Sequence, residues 1–141
     1  MEPYSCSSRI KEEVLKNRFF RIARNEMFKS DHDIRLGAVL VLNKSQYYVA
    51  CNSALKTHPI IKKHYPHYVK SIHAEISALI KYNEVRFGPL PKNTRMYVYR
   101  EDKNGIMKKS KPCKCCEEIL RENGVRKVFY STQFGFEMKV L

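Results

Sequence analysis

The side chains of this sequence that can do chemistry are concentrated in two short segments, SIHAEISALI and SKPCKCCEEIL. Cys113 and Cys116 are three positions apart at the start of an apolar-periodic run, so a helix would bring both sulfurs to one face, where they can bind a single ion. Thiols near a helix N-terminus lie at the positive end of the helix dipole, which lowers their pKa and favours the thiolate that a metal needs. The spacing therefore predicts a metal site.

The third ligand that we predict is His73, because His-x-Glu opens the other strongly helical segment. On a regular helix His73 and Glu75 would diverge by about 200°, but at a helix start both side chains can reach over the open end. Three protein ligands leave one corner of a zinc tetrahedron for water, which is the catalytic pattern. The residues predict one Zn²⁺ per chain on His73, Cys113 and Cys116, with Glu75 free to act as a base beside it.

An alternative is a structural zinc, in which Cys115 or another residue fills the fourth corner. Cys115 is adjacent to Cys116 and would project about 100° away from it along a helix. It would therefore have difficulty in sharing the ion.

The two segments together resemble a known signature. The sequence HAE at 73–75 followed by PCKCC at 112–116 is similar to H-x-E…P-C-x-x-C, the zinc-binding pattern of the cytidine and deoxycytidylate deaminase superfamily. The resemblance implies a hydrolytic deaminase in which Glu75 moves protons while cytosine becomes uracil. It further implies that Asn52, after the second strand, hydrogen-bonds the ribose, and that backbone N–H groups near Ala74 and Cys113 hold the base. Because many relatives are dimers or tetramers, it also implies a homo-oligomer.

The resemblance leaves the substrate open between two classes. A small cytosine nucleoside or nucleotide (cytidine, deoxycytidine or dCMP) is favoured by the compact length and by the short segment after Ser131, which is similar to the free-nucleoside and blasticidin deaminases. Cytosine or adenine in single-stranded DNA or RNA is favoured by the net charge of +13 and by the lysine-rich loops on both sides of the expected pocket. The histidine ligand is more typical of the deoxycytidylate, tRNA and polynucleotide deaminases, so the chain departs in one respect from each branch. A third interpretation is a non-catalytic, zinc-stabilised binding module. The presence of Glu75 argues against it.

The long loop between Asn52 and His73 carries further candidates. It interleaves lysines with aromatic side chains, which can hold phosphates and stack bases or simply form a solvated lid. His58, His64 and His67 resemble an insertion that binds a second metal in some deoxycytidylate deaminases, but the usual cysteine partners are absent apart from Cys51.

Composition bounds the class of protein. The 141 residues predict one domain over 1–141, and no apolar run reaches the roughly 18 residues of a membrane span. The five cysteines are odd in number and three are crowded together, which favours metal ligation in a reducing compartment. We therefore expect a cytoplasmic or otherwise intracellular protein with no membrane partner.

The periodicity predicts an α/β protein with a mixed sheet of about five strands, and the resemblance implies a three-layer α-β-α, cytidine deaminase-like fold. Helices are predicted from Ser7 to about Phe28, from about Ile72 to Glu84, and from Cys113 to about Asn123, the last with Pro112 in its first position and Ser110 as a cap. Strands are predicted at 36–42 and 46–52, as a hairpin, and at 95–101 and 125–131. Because a helical return needs about 10–12 residues, a fifth strand at 136–141 should turn back antiparallel.

Overall fold

The computed structural model describes residues 6–53, 73–85 and 88–141 of the chain. These ranges contain four helices, α1 (Cys6–Val14), α2 (Arg18–Met27), α3 (Ala74–Val85) and α4 (Lys114–Glu122). They also contain five strands, β1 (Leu36–Val41), β2 (Tyr47–Cys51), β3 (Arg95–Arg100), β4 (Lys127–Thr132) and β5 (Gly135–Val140). None of the described helices combines the length and the apolar character that a membrane crossing requires.

The strands form one mixed sheet in the order β2-β1-β3-β4-β5. β1 pairs antiparallel with β2 and with β3, β3 pairs parallel with β4, and β4 pairs antiparallel with β5. The predicted hairpin and the predicted antiparallel strand at the C-terminal end are both confirmed. Thr132 pairs with Gly135, so a tight turn joins the last two strands.

Helices cover both faces of the sheet, which gives the predicted three layers. α2 packs on one face, where its apolar side chains join the inward residues of β1 and β3: Phe20, Ala23, Met27, Val39, Tyr97 and Tyr99. α3 and α4 pack on the other face with a second set of buried residues: Leu40, Ile76, Leu79, Val98, Ile119, Leu120 and Val128. Five of the six residues of β1 are buried, as its continuous apolar run predicts for a strand covered on both faces.

The first predicted helix is wrong in one respect, since the segment forms two helices with a break before Arg18. The Asn17 side chain accepts hydrogen bonds from the N–H groups of Phe19 and Phe20 and thereby caps the start of α2. An asparagine at this point stabilises a new helix N-terminus in preference to a continuous helix. The apolar stripe runs through both helices, and so periodicity alone does not reveal the break.

α2 lies unusually close to the central strand. A Cβ atom on Gly37 of β1 would be 1.8 Å from the carbonyl oxygen of Ala23, which no side chain can tolerate. The glycine therefore lets the main chain of α2 rest directly on the sheet.

A buried carboxylate fastens the two N-terminal helices to the end of β3. Glu101 is 3% exposed, and its Oε2 accepts hydrogen bonds from Arg24 Nε (2.5 Å) and the Tyr99 hydroxyl (2.6 Å). Lys11 of α1 lies 3.4 Å from Oε1 and donates to the carbonyl of Gly105. These contacts join elements that are far apart in sequence, and the sequence pattern gave no sign of them.

Candidate metal centre and active site

Two helix N-termini on the same face of the sheet carry the predicted ligands. His73 immediately precedes α3, and its carbonyl accepts a hydrogen bond from the N–H of Ser77 (3.0 Å). Cys113 is the N-cap of α4, with an extended backbone, and its sulfur accepts from the N–H of Cys116 (3.4 Å). The predicted start of this helix is thus corrected, because Cys113 itself caps the helix and Pro112 lies before it, outside the first turn.

The three ligand atoms converge on one point. His73 Nδ1 lies 3.1 Å from Cys116 Sγ and 3.7 Å from Cys113 Sγ, and the two sulfurs are 3.4 Å apart. Bonds of about 2.3 Å from zinc to sulfur and 2.0 Å to nitrogen would place tetrahedral ligand atoms about 3.5–3.8 Å apart. Within the described residues these three form the one group of at least three possible ligands that lie this close together. The donor set of two sulfurs and one imidazole fits zinc.

The three ligand side chains shift one another's pKa values. The hydrogen bond shared with Cys116 and the contact with His73 lower the pKa of Cys113 to about 4. The same hydrogen bond, together with burial, raises the pKa of Cys116, and the contact with Cys113 raises the pKa of His73. Cys113 is therefore the thiolate of the group, and a metal that binds here displaces the protons of its two partners.

Glu75 lies in the first turn of α3 and is 2% exposed. Its Oε1 has no hydrogen-bond partner among the described residues. Burial raises the pKa of this carboxyl group, and an unsatisfied buried acceptor costs about 1–3 kcal/mol. A carboxylate oxygen without a partner among the described residues, beside two cysteine sulfurs and an imidazole, is consistent with a site that takes a metal ion and water.

Cys115 lies apart from the ligand group. It is 6% exposed and packs among the apolar residues that α3 and α4 share with the sheet. Burial raises the pKa of its thiol to about 11, so it stays protonated. The structural alternative, in which Cys115 fills a fourth corner, finds no support in this placement.

The Asn52 side chain, which was predicted to bind the ribose, makes three hydrogen bonds within the protein. Its Oδ1 accepts from the N–H of Leu36 (2.9 Å) and from Ser30 Oγ (2.6 Å), and its Nδ2 donates to the carbonyl of Ile34 (2.6 Å). An amide nitrogen has two protons, so within the part of the chain that the structure describes one donor is left for a ligand. Ala74, the other predicted substrate contact, is the first residue of α3, where main-chain N–H groups have no acceptor within the helix.

A polar cleft of about 490 Å³ lies beside Asn52, between the end of β2, the end of α2 and one face of α3. Its wall includes Ser77, one helical turn from His73. Small-molecule sites typically measure about 300–1,000 Å³. The lining residues are mostly polar: Glu26, Lys29, Asp31, Cys51, Asn52, Ser53, Ser77 and Lys81, with Val49 and Ala50.

Two buried serines that sequence reasoning did not assign to this role hold the loop that leads to Cys113. Ser110, predicted to cap α4, instead donates to the carbonyl of Val98 (2.9 Å) and lies 2.9 Å from Ser131 Oγ. Ser131 Oγ in turn donates to the carbonyl of Lys108 (2.9 Å). A small hydroxyl residue at the end of an apolar strand was the only sequence signal for such a role.

Exposed lysines flank Cys113 along the chain, with Lys109 and Lys111 on the same loop and Lys114 at the start of α4. The predicted second metal site at His58, His64 and His67 lies outside the described residues, as do the lysines and tyrosines of that loop.

Comparisons with known proteins agree with this geometry. The sequence model of the cytidine and deoxycytidylate deaminase zinc-binding region matches residues 14–132, a range that includes all three ligands and Glu75. Zn²⁺ is accordingly the cofactor of this region, and His73, Cys113 and Cys116 are positioned to hold it. A search of curated proteins found no match.

Solved structures show the same fold. A cytidine deaminase from Burkholderia pseudomallei aligns with a TM-score of 0.64 and 18% identity, over 86% of this chain and 89% of that one. A cytidine deaminase from Mycobacterium leprae aligns with a TM-score of 0.55 and 19% identity, over 85% and 89%. The predicted cytidine deaminase-like fold is confirmed.

Proposed function

Because the chain belongs to the cytidine and deoxycytidylate deaminase family, whose members are hydrolytic zinc enzymes, we propose that it converts cytosine to uracil in a small nucleoside or nucleotide. The observation that supports this most directly is the buried Glu75, which lies in the first turn after His73 and has a carboxylate oxygen without a partner among the described residues, together with the three convergent ligand atoms. A purely structural zinc site would have no use for such a carboxylate. Residues 1–141 would act as one catalytic domain.

In the proposed mechanism His73, Cys113 and Cys116 hold the zinc. When bound, the ion supplies a Lewis acid that lowers the pKa of a water molecule toward about 7. The oxygen of the water adds to C4 of cytosine while Glu75 accepts a proton from the same water. Glu75 then donates that proton to N3. Glu75 then carries the second proton of the water to the amino group, the C4–N4 bond breaks, and ammonia and uracil are released.

Three features of the chain would hold the substrate. The first N–H groups of α3, at Ala74, and the N-terminus of α4, at Cys113, would bind the base. The remaining amide proton of Asn52 would bind a ribose hydroxyl, and the polar cleft beside it has a volume that suits a nucleoside or its monophosphate. These roles support cytidine, deoxycytidine or dCMP as the substrate.

The alternative substrate is cytosine or adenine in single-stranded DNA or RNA. It is favoured by the net charge of +13 and by the exposed lysines at 109, 111 and 114 beside the N-terminus of α4. Such a surface attracts a phosphate backbone, and binding would then weaken steeply with added salt.

The two substrates are separated by a direct assay. Zinc-loaded protein is incubated with cytidine, deoxycytidine, their monophosphates, and single-stranded oligonucleotides that contain cytosine or adenine, and the products are identified by chromatography. We expect uracil products from the small substrates, with Glu75→Ala inactive but still zinc-loaded. If only oligonucleotides react, and the rate falls steeply with salt, the alternative replaces the first proposal.

We also propose an intracellular location, because free thiols at 113 and 116 must stay reduced to bind zinc. Oligomeric assembly is proposed from the family relationship.

A further inference from the structure

The last strand presents an exposed apolar row. Of the large apolar side chains that are exposed in the described residues, half lie near the C-terminal end, and they are 45–86% exposed: Phe134, Phe136, Met138 and Val140. Phe136 contacts the ring of Phe20 at 5.5 Å between centroids, so this row lies on the face of the sheet that α2 covers. α2 packs mainly on β1, β2 and β3, and α1 lines a pocket with the start of β5, at Phe134, Gly135 and Phe136. Met138 and Val140 remain 45% and 65% exposed.

β5 is also an edge strand of the sheet. The residues whose main-chain groups face outward are the same ones that carry the exposed apolar side chains. The N–H of Leu141 donates to the carbonyl of Arg126, in register with the β4–β5 ladder. Antiparallel strands alternate between residues whose main chain faces the partner and residues whose main chain faces away. Phe136, Met138 and Val140 therefore point their N–H and C=O groups outward. An edge with unpaired main-chain groups and apolar side chains is a template for another strand.

The sequence of β5 is complementary to itself. When two copies pair antiparallel about a two-fold axis at Met138, the outward residues meet as hydrogen-bonded pairs, Phe136 opposite Val140 and Met138 opposite Met138. On the other face, Glu137 of each copy lies opposite Lys139 of the second copy. Opposite charges at directly opposed positions stabilise a strand pair.

We propose that the chain dimerises through β5, whose edge pairs antiparallel with β5 of a second copy to form one continuous sheet across a two-fold axis. The interface uses the same patch on both copies, as two-fold symmetry requires. It lies on a strand that carries none of the proposed catalytic residues, and the proposal is therefore independent of the proposed activity.

The charges of Glu137 and Lys139 favour the axis at Met138 over an axis at either adjacent residue. An axis at Glu137 would oppose the two glutamates, and an axis at Lys139 would oppose the two lysines. Like charges directly opposite are destabilising, so only the axis at Met138 satisfies both the apolar row and the charged pair.

The contacts that these charges already make are compatible with pairing. Glu137 accepts from the Tyr130 hydroxyl (2.7 Å), and Lys139 Nζ binds both carboxylate oxygens of Glu117 (2.8 Å). An ammonium has three donors and a carboxylate has several acceptor sites, so each can keep its present partner. A nucleic acid is a poorer occupant, because this row is apolar and its flanking charges cancel.

Charge reversal tests the pairing. The zinc-loaded full chain is studied by analytical ultracentrifugation, alone and as Glu137→Lys or Lys139→Glu. Each variant places two like-charge pairs in the interface. We therefore expect the dissociation constant of its dimer to be at least about tenfold larger than that of the original chain. An equimolar mixture of the two variants restores both opposite-charge pairs, so it should dimerise again. Lys44→Glu, in the turn at the far edge of the sheet, should dimerise normally.

A cross-link tests the register without changing any charge. Opposed hydrogen-bonded residues have Cα atoms about 5.5 Å apart, within the range of a disulfide. Met138→Cys should therefore form a covalent dimer on mild oxidation, whereas Val140→Cys, which faces Phe136, should not, because its copies lie beyond the about 7 Å limit.

The proposal is overturned if the original chain is monomeric at all concentrations, or if a dimer forms that ignores both charge reversals. It is equally overturned if the mixture of variants fails to associate, or if Val140→Cys cross-links as readily as Met138→Cys. Each of these results leaves the deaminase assay untouched, so failure of the dimer and failure of the activity are distinguishable.

Discussion

Ser110 and Ser131 bind each other through main chain and side chain at the base of the loop that carries Cys113. The N–H of Ser110 donates to the carbonyl of Ser131 (2.9 Å), and the N–H of Ser131 donates to Ser110 Oγ (2.8 Å). Both serines are at most 3% exposed. A zinc ligand thus depends on a hydrogen-bonded anchor three residues before it, which fixes the path of the loop between β3 and α4.

Replacing Ser131 by alanine should loosen this anchor. Ser131 Oγ accepts from the N–H of Arg100 (3.2 Å) and donates to the carbonyl of Lys108 (2.9 Å), so Ser131→Ala removes a partner from two part-buried main-chain groups. We expect a loss of about 1–3 kcal/mol in the free energy of unfolding, measured in urea, and faster removal of zinc by a chelator. Ser45→Ala, in an exposed turn, is the control and should change neither. Unchanged zinc release in Ser131→Ala would show that the anchor does not position the ligand.

Glu75→Gln should separate catalysis from metal binding. The amide has the shape of the carboxylate but cannot carry a proton between water and base, and we expect turnover to fall by about 10²–10⁴-fold. Zinc content, measured by mass spectrometry, should remain near one per chain. Glu84→Gln, exposed on the same helix, should retain full activity. Turnover near the original rate in Glu75→Gln would rule out the general-base role.

Zinc content should distinguish the two adjacent cysteines. Cys116→Ala removes a ligand atom that lies 3.1 Å from His73 Nδ1, so we expect the metal to be lost on desalting. Cys115→Ala removes only a buried thiol outside the ligand group, so the metal should stay, with a small loss of thermal stability. If Cys115→Ala instead loses the zinc, Cys115 is part of the coordination shell and the site is structural.

Glu101 should make stability depend on pH. Burial alone would raise the pKa of its carboxyl, but the hydrogen bonds from Arg24 and Tyr99 outweigh burial and lower the pKa below its ordinary value. A carboxyl with a lowered folded pKa stabilises the protein above its unfolded pKa, and this contribution is lost as pH falls through the folded pKa.

Glu101→Gln should therefore be less stable than the original chain at pH 7, by about 3 kcal/mol, which is the lower end for breaking a buried pair because Arg24 is 32% exposed. The difference in melting temperature should be constant from neutral pH to about pH 5 and should shrink toward pH 3. Glu13→Gln, in an exposed pair with Lys16, should show no such difference. A gap between Glu101→Gln and the original chain that persists at pH 3 would contradict the linkage.

The sequence by itself determined those features that depend on local spacing. Cys113 and Cys116 are three residues apart at a helix start, and His73 precedes the first turn of another helix, which contains Glu75, so the composition of the site could be predicted without any tertiary contact. The hairpin of β1 and β2 was equally accessible, because the Asn43-Lys44-Ser45 turn lies between two apolar runs.

Only the tertiary structure decided which distant residues meet. Arg24 reaches Glu101 across 77 positions, and Asn52 hydrogen-bonds Ser30, Ile34 and Leu36, none of which any local pattern marks. Likewise, the pairing of β5 with β4 decides which edge of β5 faces outward, and so which residues could pair with a second copy. Periodicity encodes which face of an element is apolar, whereas the partner of a polar side chain is fixed by how the elements pack.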